Sequence, residues 1–175
     1  MPPRPAPDLD ARRDQIVRAA RRIAESEGWA AVTMRRIAGE LGATQPVVYS
    51  AFDGRQALVD AVALQGFTGI AESLESVDPT PPARMHAYLD FAQEHPAIYE
   101  AMFSMPSELR FGETTHESMT RAFAAIEVAF PGDDGARAEV AWATLHGLAT
   151  LSSGGRLPAR QAEHRLELAR QLLTA

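Results

Sequence analysis

Apolar residues recur along this chain at the three-to-four-residue spacing of an α-helix, and nowhere does a two-residue alternation persist between hairpin turns. The expected fold class is all-α, with about nine helices. In the first, Ile16, Ala20, Ile23 and Ala24 share one face. Asp10 is placed to cap its start and Gly28 to end it, while Arg12, Arg13, Arg18, Arg21 and Arg22 take the remaining surface. Thr33 reads as the cap of a short second helix, because Met34, Ile37, Ala38 and Leu41 fall on one face before Gly42 stops it. A third short helix begins at Thr44, tolerates Pro46 in its first turn and runs through Val48 and Phe52 to the Asp53-Gly54 break. Two such helices about a tight Gly-containing turn make a helix-turn-helix unit.

Beyond Gly54 the spacing predicts a long fourth helix, aligning Leu58, Ala61, Val62 and Gln65 and reaching Ser76. Each of Gly66 and Gly69 costs that helix roughly 1 kcal/mol relative to Ala, which predicts a bend or close packing. The run Asp78-Pro79-Thr80-Pro81-Pro82 breaks it. Further helices are expected near 82–94, 96–104, 114–129, 134–152 and 158–173, separated by His95-Pro96, the stretch around Gly112, the Pro131–Gly135 turn and Ser152-Ser153-Gly154-Gly155. The division read from this pattern is a disordered tail over 1–9, a three-helix head over 10–56 and a helical body over 57–175.

Composition narrows the setting. At 175 residues and 46% hydrophobic, the chain can build one sizeable core or two small ones. The absence of cysteine excludes disulfides and thiolate metal sites. The N-terminal MPPRPAPD has no apolar core of signal-peptide length, and no stretch approaches the roughly 20 apolar residues that cross a bilayer. A cytoplasmic location without a membrane partner is the expectation. The net charge of −6 argues at first against nucleic acid, but it is unevenly spread. Residues 1–56 hold nine Arg against seven acids, and residues 57–175 hold eight Arg against sixteen acids. That fits a DNA-facing head on an acidic body. The histidines His86, His95, His116, His146 and His164 show no metal-site pairing, so no metal and no cofactor is assigned.

Residues 33–58 carry a more specific signal. The capping Thr33, the Ile37-Ala38 pair, Gly42 in the turn, Tyr49 and Phe52 on the reading helix, and a cation at Arg55 ahead of Leu58 together resemble the DNA-binding signature of the tetracycline-repressor (TetR) family. The family commonly has His where this chain has Ala51 and Lys where it has Arg55. Two further stretches, Ala141-Trp142-Ala143-Thr144-Leu145-His146-Gly147-Leu148 and His95-Pro96-Ala97-Ile98-Tyr99-Glu100-Ala101-Met102-Phe103, are similar to one C-terminal subgroup marked by a Trp-His-Gly pattern. The resemblance implies a non-enzymatic, ligand-responsive repressor that binds a palindromic operator as a homodimer and is released by a small-molecule effector.

Groove geometry then assigns expectations residue by residue. A reading helix sets its N-terminal residues nearest the base edges, which singles out Gln45, Pro46 and Val47. Gln45 has the donor–acceptor pair that matches adenine, and Val47 with Pro46 suits a thymine methyl. Thr33, Thr44, Tyr49 and Arg55 are placed as phosphate contacts, which fix register without choosing sequence. Arg4 in the tail has the option of the minor groove. In the body, Phe67, Tyr88, Phe91, Tyr99, Met102, Phe103, Phe123, Trp142 and His146 are candidates for an apolar or amphipathic effector, and core packing is the competing reading of the same stripes. Val140, Leu145, Leu148, Leu166, Ala169, Leu172 and Leu173 are candidates for an intersubunit four-helix bundle, or for an intramolecular core. The rival functions are a helical enzyme and a protein-interaction module without DNA binding. No catalytic residue is assigned, since Ser152-Ser153-Gly154-Gly155 lacks the strand-turn-helix setting of a nucleophile elbow.

Overall fold

The computed structural model describes residues 9–112 and 115–175. The described residues form nine α-helices: α1 (Leu9–Glu27), α2 (Met34–Glu40), α3 (Gln45–Tyr49), α4 (Gly54–Glu75), α5 (Pro81–Glu94), α6 (Pro96–Phe103), α7 (Glu117–Glu127), α8 (Ala136–Ser153) and α9 (Ala162–Leu173). Among the described residues there is no strand, as the helical spacing predicts. The tail expectation, with Arg4, falls on residues outside the described ones up to Asp8. Leu9 is already helical, so Asp10 sits within the first turn of α1 and does not cap it.

The chain divides into two compact units. The first comprises the described residues up to Ala63 together with Ala97–Glu108; the second comprises Leu64–Pro96 with Leu109–Ala175. Helix α4 runs unbroken from one unit into the other. In the first unit α1 buries Ile16, Val17, Ala19, Ala20, Ile23 and Ala24, and α2 buries Met34, Ile37 and Ala38. Val48, Phe52, Leu58, Val59 and Val62 complete this small core. The α2–α3 turn needs Gly42, whose φ of +59° lies in the left-handed region. The later segment is tied in by hydrogen bonds. The Trp29 indole N–H donates to the Ala97 carbonyl at 2.8 Å, Gln56 donates to the Pro106 carbonyl at 2.5 Å, and the Ser107 hydroxyl donates to Asp60 at 2.8 Å.

One helix boundary departs from expectation. Helix α3 ends at Tyr49, so Phe52 lies beyond it and not on the reading helix. The Ser50 hydroxyl donates to the Val47 carbonyl at 2.8 Å, and the Ala51 and Phe52 amides both turn back to the Val48 carbonyl, which tightens the chain and drives Phe52 inward.

In the second unit α5 packs against α8 and α9, α7 against α8, and α8 against α9. Met85, Tyr88, Met119, Ile126, Phe130 and Leu145 fill its interior. Gly69 on α4 is needed for close approach: a Cβ there would stand 3.1 Å from Cε2 of Phe91. The close packing expected at the α4 glycines is thus present at Gly69.

Candidate functional site

Helix α3 presents two opposed faces. Val48 is fully buried, whereas Gln45, Pro46 and Tyr49 are exposed and Val47 is half-buried. The buried anchor fixes the rotation of the helix, so the positions on either side of it point outward. Thr44 is the N-terminal boundary residue of α3, and its hydroxyl makes no capping bond. Thr33 does cap: its hydroxyl accepts from the Arg36 amide at 3.1 Å.

Arg13 and Arg55 hold the reading unit in shape. The Arg13 guanidinium lies 4.3 Å from the centroid of the Phe52 ring and donates to the Ala51 carbonyl. Arg55 donates from Nε to the Val32 carbonyl at 3.1 Å and from Nη2 to the Trp29 carbonyl at 2.9 Å. These bonds fasten the start of α4 to the turn before α2. Sequence spacing marks Arg55 only as a cation near DNA, and nothing local signals its two carbonyl partners. Arg36 is held by Glu27 at 2.6 Å and Glu40 at 3.1 Å, an exposed pairing that contributes little stability.

The candidate effector residues are divided between the two units. Phe67, Tyr88, Phe91, Phe123, Trp142 and His146 belong to the second unit, whereas Tyr99, Met102 and Phe103 belong to the first. In the first unit the Tyr99 and Phe103 rings stand 4.7 Å apart. In the second, the Trp142 indole N–H donates to the Tyr88 hydroxyl at 3.1 Å. The Trp142 ring also meets Phe111 at 4.9 Å and Phe123 at 6.0 Å, and Phe111 meets Phe67 at 6.0 Å. Phe111 comes from an irregular segment, which is why helical periodicity missed it. His146 is half-buried, and that burial holds its pKa below the ordinary histidine value.

The candidate interface residues also separate. Leu145, Leu166 and Leu173 are buried within the chain itself, Leu148 and Ala169 are half-buried, and Val140 and Leu172 are exposed, Leu172 at 80%. Arg137 Nη1 donates to the Leu173 carbonyl at 3.0 Å, which sets the first turn of α8 beside the last turn of α9.

A titratable tie joins α5 to α9. His86 Nδ1 lies 2.8 Å from the Pro82 carbonyl and Nε2 lies 3.2 Å from Glu163 Oε2. Acceptors at both ring nitrogens favour the imidazolium, so the His86 pKa is raised, first by the Pro82 carbonyl and then by Glu163. Its stabilising contribution is therefore full below the unfolded-state value near ~6.5 and disappears as pH rises through the higher folded-state value. An NMR titration of His86 should show a raised midpoint that Glu163→Gln lowers only in part. A midpoint unmoved by that substitution would remove the tie to α9.

The chain is similar to known proteins over most of its length. Residues 16–62 match the family described as bacterial regulatory proteins, tetR family, and residues 82–175 match the tetracyclin repressor-like C-terminal domain. It is 30% identical over 156 residues to the uncharacterized HTH-type transcriptional regulator Rv0681 of Mycobacterium tuberculosis, covering 82% of this chain and 71% of that one. It is 31% identical over 102 residues to the uncharacterized HTH-type transcriptional regulator YobS of Bacillus subtilis, covering 55% of this chain and 53% of the relative. Two solved structures share the fold. A Rhodococcus protein of unknown function superposes with a TM-score of 0.71 at 24% identity, covering 99% of this chain and 97% of that one. Apo ActR of Streptomyces coelicolor superposes with a TM-score of 0.64 at 19% identity, covering 92% and 93%.

Proposed function

Because the chain belongs to the TetR family of bacterial DNA-binding transcriptional regulators, we propose that it is a ligand-responsive repressor, acting in the cytoplasm as a homodimer on a palindromic operator. The observation that carries the reading is α3, which buries Val48 and turns Gln45, Pro46 and Tyr49 outward. In this proposal Gln45, Pro46 and Val47 meet base edges in the major groove, while Thr33, Thr44 and Tyr49 hold phosphates. Arg55 spends two N–H groups on backbone carbonyls and keeps the other three of its guanidinium for a phosphate.

The sensing half of the proposal places an apolar or amphipathic effector against the second-unit aromatic set. Helix α4 is the element through which such a ligand acts, because its second half carries Phe67 and Gly69 and its first half carries Arg55, Leu58 and Val62. An effector releases DNA only if it binds the released conformation more tightly than the DNA-bound one. No helix among the described residues is long and apolar enough to cross a membrane.

Band-shift titration with fragments of the chain's own upstream region tests the DNA half, and a salt-dependent specific shift is expected. Within it, Gln45→Ala should cost about 1–3 kcal/mol of discrimination at one position per half-site, whereas Tyr49→Phe should weaken specific and random DNA alike. An unchanged preference across a randomised operator would strike Gln45 from the base contacts. A chain that shifts none of its upstream fragments at low salt would end the repressor reading.

A further inference from the structure

Of the charged side chains among the described residues, only Arg84 is buried, at 7% exposed. Its Nε and Nη1 are both shielded from solvent, and neither has a hydrogen-bond partner. A guanidinium keeps its charge in protein interiors, so this is a shielded cation with two nitrogens that no acceptor meets. Glu75 lies close enough to feel it, but both Glu75 oxygens are engaged by Arg121, Oε1 from Nε at 2.8 Å and Oε2 from Nη2. Glu75 thus offers Arg84 its field but no free oxygen, and the two shielded nitrogens are left without an acceptor.

Arg84 stands on the buried face of α5, one turn before Tyr88, with Met85 beside it. Tyr88 leads directly to the Trp142 ring and its neighbours Phe111 and Phe123. We propose that Arg84 anchors a ligand site in the second unit for a carboxylate carried on an apolar body, with the aromatic set around Trp142 receiving the body. The ligand is a monoanion because a single guanidinium faces it, no second buried cation accompanies Arg84, and the field of Glu75 disfavours further negative charge. A planar carboxylate suits the planar donor array of arginine. The proposal rests on the ligand-responsive reading and names the chemical class of its effector. Sequence alone gives no hint of it, since Arg84 is a lone cation in an ordinary helical pattern.

The test uses the full chain with decanoate and 4-phenylbutyrate as probes, each against its own primary alcohol, followed by thermal melting and calorimetric titration. Saturating acid should raise the melting temperature of the unsubstituted chain by roughly 5 °C, with each alcohol binding at least about tenfold more weakly. Arg84→Met should melt no lower than the unsubstituted chain, because it removes an unpaired charge, and it should lose the preference for acid over alcohol. Arg84→Lys should keep part of that preference. The proposal is overturned if neither acid binds, if Arg84→Met binds acid as tightly as before, or if Arg84→Met fails to fold, which would make the guanidinium structural. Operator displacement is read separately. Acid that binds through Arg84 without displacing DNA sustains the site and removes the effector reading. Release by acid that persists in Arg84→Met sustains the effector reading and removes the site.

Discussion

Glutamate at both Val140 and Leu172 is expected to give a monomer whose operator affinity falls by roughly 10²–10⁴-fold, with its helical content retained and its melting lowered only by the lost association. Both residues are large, apolar and exposed, at 57% and 80%. They stand at the end of the α8–α9 pair that the Arg137–Leu173 bond draws together. In a subunit alone Val140 and Leu172 face water at this end of the pair, and a second copy of the chain is the partner proposed to cover them. Carboxylates placed there cost nothing in the isolated subunit but become buried and unpaired in a dimer. Two linked reading helices gain affinity through the high local concentration of the second once the first is bound, and a monomer forfeits that gain. Leu173→Glu makes the contrast: Leu173 is buried within the chain, so this change should unfold the second unit. Sedimentation and circular dichroism distinguish the two outcomes, and a double variant that still sediments as a dimer moves the interface elsewhere.

Phe52→Ala is expected to lower the stability of the reading unit by about 3–5 kcal/mol, a large part of the roughly 5–15 kcal/mol that holds a typical domain together. The ring is 2% exposed, so its removal leaves a cavity in a core too small to collapse around it. It also takes away the surface on which the Arg13 guanidinium rests, loosening the link from α1 to the turn after α3. Melting should fall by about 10 °C, and DNA binding should fail in step with unfolding while the stacking of Trp142 in the second unit persists. Were Phe52 a contact to DNA from the reading helix, the same substitution would weaken binding at unchanged melting temperature. Comparing the two readouts therefore decides between packing and recognition.

The order and type of the helices were legible because each carries its own periodicity and its own breakers: Thr33 and Gly42 bracket α2, and Asp78-Pro79-Thr80 separates α4 from α5, whose first turn holds Pro81 and Pro82. The outward face of α3 was not legible in the same way, because burial of Tyr49 in the small core was open from the sequence and the structure instead buries Val48 and exposes Gln45 and Tyr49. Other features were hidden for a common reason. Periodicity reports which side of a helix is covered but not by what. It could not separate Leu145, Leu166 and Leu173, which close the chain's own core, from Val140 and Leu172, which do not. It placed Phe52 on a helix because the spacing from Val48 is helical, although the chain has already tightened by then. Interactions spanning distant positions, such as Arg55 with the Trp29 and Val32 carbonyls, leave no local trace. The same holds for the two unmet nitrogens of Arg84.

The hydrogen bonds that draw residues 97–108 into the first unit bear on how the molecule is made. During synthesis the first 63 residues leave the ribosome well before their last partners exist. Until the chain has been extended past Ser107, the Trp29 indole lacks Ala97, Gln56 lacks the Pro106 carbonyl, and Asp60 lacks the Ser107 hydroxyl. The reading head is thus finished out of order, after the second unit has begun to emerge, and its completion depends on contacts of long sequence separation that form slowly. A nascent or truncated chain ending before that point carries the whole helix-turn-helix sequence without the bonds that residues 97–107 add to its unit.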